Sequence, residues 1–248
     1  MAEYMHLSII DPEFAPIAAS LPPPPPVVEI PTLRRNYEQW MLPAIETAFG
    51  PSLPPGKCLP LVRANPHLFS ADLSKGFLVG GVSAGGNLAA VLAHLARDDP
   101  EFNDTPLTGH FLEHPSLIRA GAYPEQFKSS LLSAERNIDD PILTPATRKA
   151  LGDAYNPVPT DPKASPLLFP SHKGLPAAYL QICGMDPVRD EAFLYEKILK
   201  AEGVPTKFDI YPGLPHGFVG VAPQITQGKK YIQDFGLGVG WLLKQGKD

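Results

Sequence analysis

The sequence predicts an α/β protein built on a mostly parallel sheet flanked by helices. Three observations carry that expectation. Short apolar runs at 77–79 (FLV), 107–113 (LTGHFLE), 177–183 (AAYLQIC) and 206–211 (TKFDIY) alternate with stretches of helical periodicity, the pattern of strands joined by crossover helices. The stretch 75–87, KGFLVGGVSAGGN, reads as strand, tight turn and helix in immediate succession. A chain of 248 residues with 44% hydrophobic and 19% charged residues can bury one sizeable core.

Taken in order, residues 1–31 read as loop, with consecutive prolines from Pro22 to Pro26 forming a polyproline II spacer. Residues 34–49 are amphipathic, with Trp40, Met41, Ile45 and Phe49 near one face and Pro43 dividing them. A proline-rich connection at 50–56 leads to a helical or irregular approach at 57–73 and then the first strand. Leu88, Ala89, Val91, Leu92 and Leu95 continue at helical spacing beyond it. The second strand ends at His114-Pro115, and a polar, partly helical insertion follows at 124–155. Within it Thr144-Pro145 fits an N-cap and first helical position. After the third strand, a helix at 190–202 turns Leu194, Ile198 and Leu199 inward and stops at Gly203. The fourth strand leads through 212–218 to a C-terminal helix at about 224–243. The expected organisation is a proline-rich segment over 1–56 and a core over 57–248, with an insertion at about 116–155. No internal repeat is visible.

Composition removes several function classes. A net charge of −5 leaves no basic footprint for nucleic acid and no polybasic membrane signal. The first residues, MAEYMHLSIIDPEF, show no positive n-region and no long apolar stretch. Cys58 and Cys183, the only cysteines, form no redox or metal motif and read as reduced thiols of a cytoplasmic protein. His110 and His114 have no carboxylate at metal-ligand spacing, so no metal is expected there.

Residues 81–85, Gly-Val-Ser-Ala-Gly, match G-x-S-x-G between a strand and a helix. That context suits a nucleophile elbow, where a strained turn lifts the hydroxyl clear of the sheet. Ser83, Asp186 and His216 then fall, in that order, at the C-terminal ends of three predicted strands, the edge at which open parallel sheets carry their sites. Their chemistry is complementary: Ser83 attacks a carbonyl, His216 takes and returns the proton, and Asp186 orients His216. Each residue alone has an ordinary explanation. Ser83 fits a Gly-rich turn, Asp186 before Pro187 fits a turn former, and His216 fits a loop histidine. Their shared order and placement favour the site.

From about Leu59 onward, GGVSAGGNLAAVLA, SPLLFP at 165–170, DPVRDE at 186–191 and HGF at 216–218 resemble the hormone-sensitive-lipase-like branch of the α/β-hydrolases. The resemblance implies a carboxylesterase or lipase-like enzyme acting on small, fairly apolar esters through an acyl-enzyme, without a cofactor. It implies Ser83 as nucleophile, Asp186 as triad acid and His216 as base, with the amphipathic N-terminal segment and residues 116–155 as a cap over the acyl pocket. One departure is large. No His-Gly-Gly-Gly motif precedes Ser83, although that motif supplies two oxyanion-hole amides in the branch; the backbone amide of Ala84 remains as a donor. The strands that normally lie before the elbow also have no counterpart, as if the chain were internally shortened. The Ser83 strand then becomes a sheet edge, and edges invite self-association. Three readings follow: an impaired ester hydrolase, a hydrolase-derived ligand-binding protein, or the product of an incomplete gene model.

Overall fold

The computed structural model describes residues 2–22 and 62–245. Among them four strands form one sheet: β1 (Leu78–Val82), β2 (Gly109–Glu113), β3 (Ala177–Cys183) and β4 (Thr206–Tyr211). They lie in sequence order and every neighbouring pair is parallel. The run of β3, apolar but for Gln181, explains its place, since all of its residues are buried and a strand covered on both faces needs no polar alternation. The register sets Val82 opposite Glu113, Glu113 opposite Gln181, and Cys183 opposite Tyr211. The strands therefore end nearly level, and Ser83, His114, Asp186 and the loop leading to His216 all emerge at one edge.

The helices are α1 (Ala15–Ser20), α2 (Ala84–Asp98), α3 (Ser133–Arg136), α4 (Pro145–Tyr155), α5 (Arg189–Ala201) and α6 (Thr226–Gln245). Ala89, Ala90 and Ala93 of α2 and Ala192, Phe193, Leu194 and Tyr195 of α5 share a core with Leu112, Ala178, Leu180 and Ile182. The alternate β3 residues Ala177 and Tyr179 pack on the opposite side with Leu242 of α6. The period of two along β3 thus separates a two-helix layer from a one-helix layer. In α2 the small residues face inward, while Leu88 is 57% and Leu95 is 41% exposed. Thr144 caps α4 as expected, its Oγ1 accepting from the Thr147 N–H at 3.1 Å. No helix among the described residues is long and apolar enough to cross a membrane.

Residues 1–31 read as loop, and here the structure differs. Residues Ala2–Ser8 wind as a 3-10 helix and Ala15–Ser20 as α1. Leu7 and Phe14 are buried, and the Tyr4 ring stacks on Phe193 at 4.1 Å. The Gly213 N–H donates to the Leu7 carbonyl at 2.7 Å, and the Asp11 N–H donates back to the Gly213 carbonyl at 2.9 Å. Isolated helices this short do not form in water; contacts nearly the whole chain away hold these turns. Pro23 to Pro26 of the polyproline run, the amphipathic segment 34–49 and Cys58 lie outside the described residues.

Candidate active site

Ser83 occupies the junction of β1 and α2 with φ 56° and ψ −113°, a conformation costly for any residue with a side chain and one that persists only when its surroundings impose it. Here the Ser83 N–H donates to the Glu113 carbonyl at 2.8 Å, and the Ser83 carbonyl accepts the Asn87 N–H at 3.1 Å. Strand and helix approach so closely that a Cβ on Gly81 would lie 2.5 Å from the Gly85 carbonyl carbon. The Asn87 side-chain amide donates to the carbonyls of Ser116 and Ala164 at 2.8 and 2.9 Å, anchoring the first turn of α2. Ala84 is the first residue of that helix, where backbone N–H groups have no intrahelical acceptor and the helix dipole is positive.

The three residues singled out in the sequence come together. His216 Nδ1 lies 2.7 Å from Asp186 Oδ2, and His216 Nε2 lies 2.8 Å from Ser83 Oγ. The other Asp186 oxygen accepts the Val188 N–H at 2.8 Å. A carboxylate against Nδ1 requires the proton there, which leaves Nε2 to accept from the serine hydroxyl. Burial pulls the His216 pKa down, but the charge and hydrogen bond of Asp186 outweigh it and leave the value raised.

The DPVRDE motif does more than present Asp186. Arg189 is paired with Asp190 at 3.0 Å, and its Nη1 donates to the Tyr4 carbonyl, Ser8 Oγ and the Gly184 carbonyl. Asp190 Oδ2 accepts the N–H groups of Leu132 and Ser133 at 2.9 and 2.8 Å. Glu191 Oε2 accepts those of Leu117 and Ile118 at 2.6 and 3.0 Å, and burial pushes this carboxyl up to about 8. Successive side chains at the start of α5 thus hold the N-terminal turn, the 132–133 chain and the 117–118 chain around the Asp186 loop.

Two residues that the sequence reading did not assign to the site also border it. His114 follows β2 with φ 35°, and its ring meets that of His216 edge-on, centroids 4.6 Å apart. Burial lowers its pKa to about 3, so it stays neutral. Behind it the Tyr231 hydroxyl donates to Glu113 at 2.7 Å. Asp140, inside the insertion, accepts the His216 N–H at 2.8 Å. The only sequence signal for His114 was its place at a strand end, and Asp140 had none beyond its proline neighbour. Cys183 is buried at the end of β3, which pushes its thiol pKa up and keeps it protonated. Among the described residues no group of three or more His, Cys, Asp or Glu side chains is arranged to hold a metal.

Comparison with known proteins agrees with this architecture. A family model described as "alpha/beta hydrolase fold" matches residues 57–220. An AB hydrolase superfamily protein of Schizosaccharomyces pombe is 39% identical over 190 residues, covering 75% of this chain and 55% of the relative. A versiconal hemiacetal acetate esterase of Dothistroma septosporum is 36% identical over 186 residues, covering 74% and 56%. The chain therefore spans about half the length of these relatives. Among solved structures, vibralactone cyclase superposes with a TM-score of 0.85 at 29% identity, covering 98% of this chain and 97% of the cyclase. An esterase of Pyrobaculum calidifontis gives 0.60 at 31% identity, covering 71% and 55%. The chain belongs to the α/β-hydrolase family, in its hormone-sensitive-lipase-like branch.

Proposed function

We propose that this protein is a serine hydrolase that cleaves small carboxylic esters through an acyl-enzyme. The observation that carries this reading is the unbroken line from Asp186 Oδ2 through both nitrogens of His216 to Ser83 Oγ, at 2.7 and 2.8 Å. In the first half-reaction Ser83 Oγ attacks the ester carbonyl while its proton passes to His216 Nε2. The imidazolium, stabilised by Asp186, returns that proton to the departing alkoxide. Water then attacks the acyl-serine with His216 again as base, releasing the acid and restoring Ser83. The Ala84 N–H, at the positive end of α2, supports the tetrahedral oxyanion.

Turnover is slow in this reading. The sequence contains no His-Gly-Gly-Gly loop, and loss of one oxyanion donor typically costs on the order of 10²–10³ in turnover. Residues 116–155 act as the cap over the acyl group, and the pair of anchors from Asp190 and Glu191 supports its base. The raised pKa of His216 moves the acid limb of activity upward from the ordinary histidine value, because the base must start neutral.

A second reading is favoured by one comparison. The cyclase matches nearly end to end, whereas the Pyrobaculum esterase is covered over only 55% of its length. The same acyl-serine yields a lactone if a hydroxyl of the acyl chain, deprotonated by His216, attacks in place of water. Product analysis with a hydroxyacyl ester separates the two: free hydroxy acid supports the hydrolase, and ring-closed ester supports the cyclase. A fluorophosphonate should label Ser83 in either case; labelling that persists in Ser83→Ala would sink both.

A further inference from the structure

Asp140 lies in the segment that connects α3 to α4 and is 1% exposed. It directs both oxygens at backbone. Oδ1 accepts from the Ile142 and Leu143 N–H groups at 2.8 and 2.7 Å, closing a local turn. Oδ2 accepts the His216 N–H at 2.8 Å from 76 residues away. The same segment, with α3 before it, grips the other member of the pair: the Asn137 side-chain amide donates to the Asp186 carbonyl at 2.9 Å and the Ser133 hydroxyl of α3 to the Pro187 carbonyl at 2.8 Å. One stretch of chain therefore fixes the main chain of both Asp186 and His216.

A buried carboxylate beside a second one is an expensive choice. Burial pushes Asp140 up to about 6, and the charge of Asp186 adds to the effect. An asparagine would avoid that cost, yet it cannot make the same bonds. With its oxygen on Ile142 and Leu143, its NH₂ would meet the His216 N–H, donor against donor. Only a group that accepts on both sides serves here.

We propose that Asp140 is a positioning residue for His216, coupling the seating of the 133–144 segment to the orientation of the base. The inference rests on the reading of His216 as that base. When ionised, Asp140 also adds a second negative charge that favours the imidazolium, after Asp186. The other titratable groups bearing on the pair are Glu191 from α5, Cys183 at the end of β3, Glu113 at the end of β2 and His114 just after it.

Asp140→Asn tests the proposal. It leaves the local turn and breaks the tie to His216. In the folded variant kcat for a short-chain ester should fall about 10–100-fold, the range of a small misplacement of a reacting group, with KM changed by less than about twofold. Removing a negative charge lowers the pKa of a neighbouring histidine, so the acid limb of kcat/KM should move to lower pH by about half a unit or more. Titration of the His216 ring by ¹⁵N NMR should move in the same direction and needs no turnover. Wild-type kcat with an unmoved limb would overturn the proposal, as would a parallel loss of activity and thermal stability with the limb unmoved. If the wild-type protein shows neither turnover nor Ser83 labelling, the functional reading fails, and an unmoved His216 titration then overturns this inference separately. Should Asp140→Asn not fold, Asp140→Ser keeps a turn-forming hydroxyl without reaching His216 and carries the same expectations.

Discussion

The two sides of the site are built differently. On the β3–β4 side, Asp186 and His216 are buried, and Arg189, Asp190, Glu191, Asn137 and Asp140 each fasten a separate piece of chain around them. On the β1 side, Ser83 follows the strand that ends the sheet among the described residues, with Val82 50% exposed before it. The α2 helix behind it leaves Leu88 and Leu95 in solvent. Asp186 and His216 are thus held by many side chains, whereas Ser83 depends on a strained turn held by the Glu113 carbonyl and Asn87. Under the proposed reading, the contrast implies a well-positioned base and a rate limited by stabilisation of the oxyanion.

The comparison can be broken most severely at Asp186. Asp186→Asn leaves the fold near intact but favours the wrong imidazole tautomer, and should slow fluorophosphonate labelling of Ser83 by about 10³–10⁴-fold. Labelling at the wild-type rate would mean that Asp186 does not orient His216.

The next largest effect is on stability. Gly213 has φ 71°, and a Cβ there would lie 2.2 Å from the Ile9 carbonyl and 2.4 Å from the Asp11 nitrogen. Gly213→Ala should cost about 2–4 kcal/mol in urea unfolding, combining backbone strain with displacement of the N-terminal turns. A cost below about 0.5 kcal/mol would show that those turns do not brace the His216 loop.

The two sides should also respond to pH with opposite sign. His94 in α2 and His110 in β2 are buried, and burial lowers them to about 4 and about 3. Unfolded histidines bind protons first, so this contribution is full above about pH 6.5 and is lost as pH falls toward 4 and 3, at about 1.4 kcal/mol per pH unit per group. Glu191 in α5 is raised to about 8, so its contribution is full below about pH 4.5 and is lost as pH rises toward 8. Hydrogen exchange at pH 5 and pH 8 should show β1–β2 amides losing protection on the acid side and the α5 start losing it on the alkaline side. His110→Leu should flatten the acid response; an unchanged slope would contradict it.

The smallest effect belongs to the open face of α2. Leu88→Ala and Leu95→Ala should each change stability by less than about 0.5 kcal/mol. Ala90→Leu on the buried face should cost about 1–3 kcal/mol through overpacking. Thermal unfolding of the three variants checks the order.

Much of this was legible in the sequence because it was local. The β3 and β4 runs were bounded correctly, since both are uninterrupted apolar or alternating stretches between turn formers. That Ser83, Asp186 and His216 would lie together was legible because parallel strands deliver their following residues to one edge. The N-terminal turns were missed for the opposite reason. Leu7 and Phe14 show no helical period, and their partners, Gly213 among them, are about 200 residues distant. Asp140 was hidden in the same way: an Asp before a proline reads as a turn, and its role appears only when His216 is folded against it. In DPVRDE the sequence pointed to Asp186 alone, because bonds from Arg189, Asp190 and Glu191 to backbone amides and carbonyls leave no pattern at the other end.

The most direct test of the central claim is hydrolysis of a short-chain p-nitrophenyl ester by the purified protein beside Ser83→Ala. The account predicts slow turnover in the wild type, with an acid limb shifted upward from the ordinary histidine value, and its disappearance in Ser83→Ala. Equal rates in the two proteins, or no turnover and no Ser83 labelling in folded wild-type protein, would contradict it and leave a hydrolase fold that binds its ligand without cleaving it.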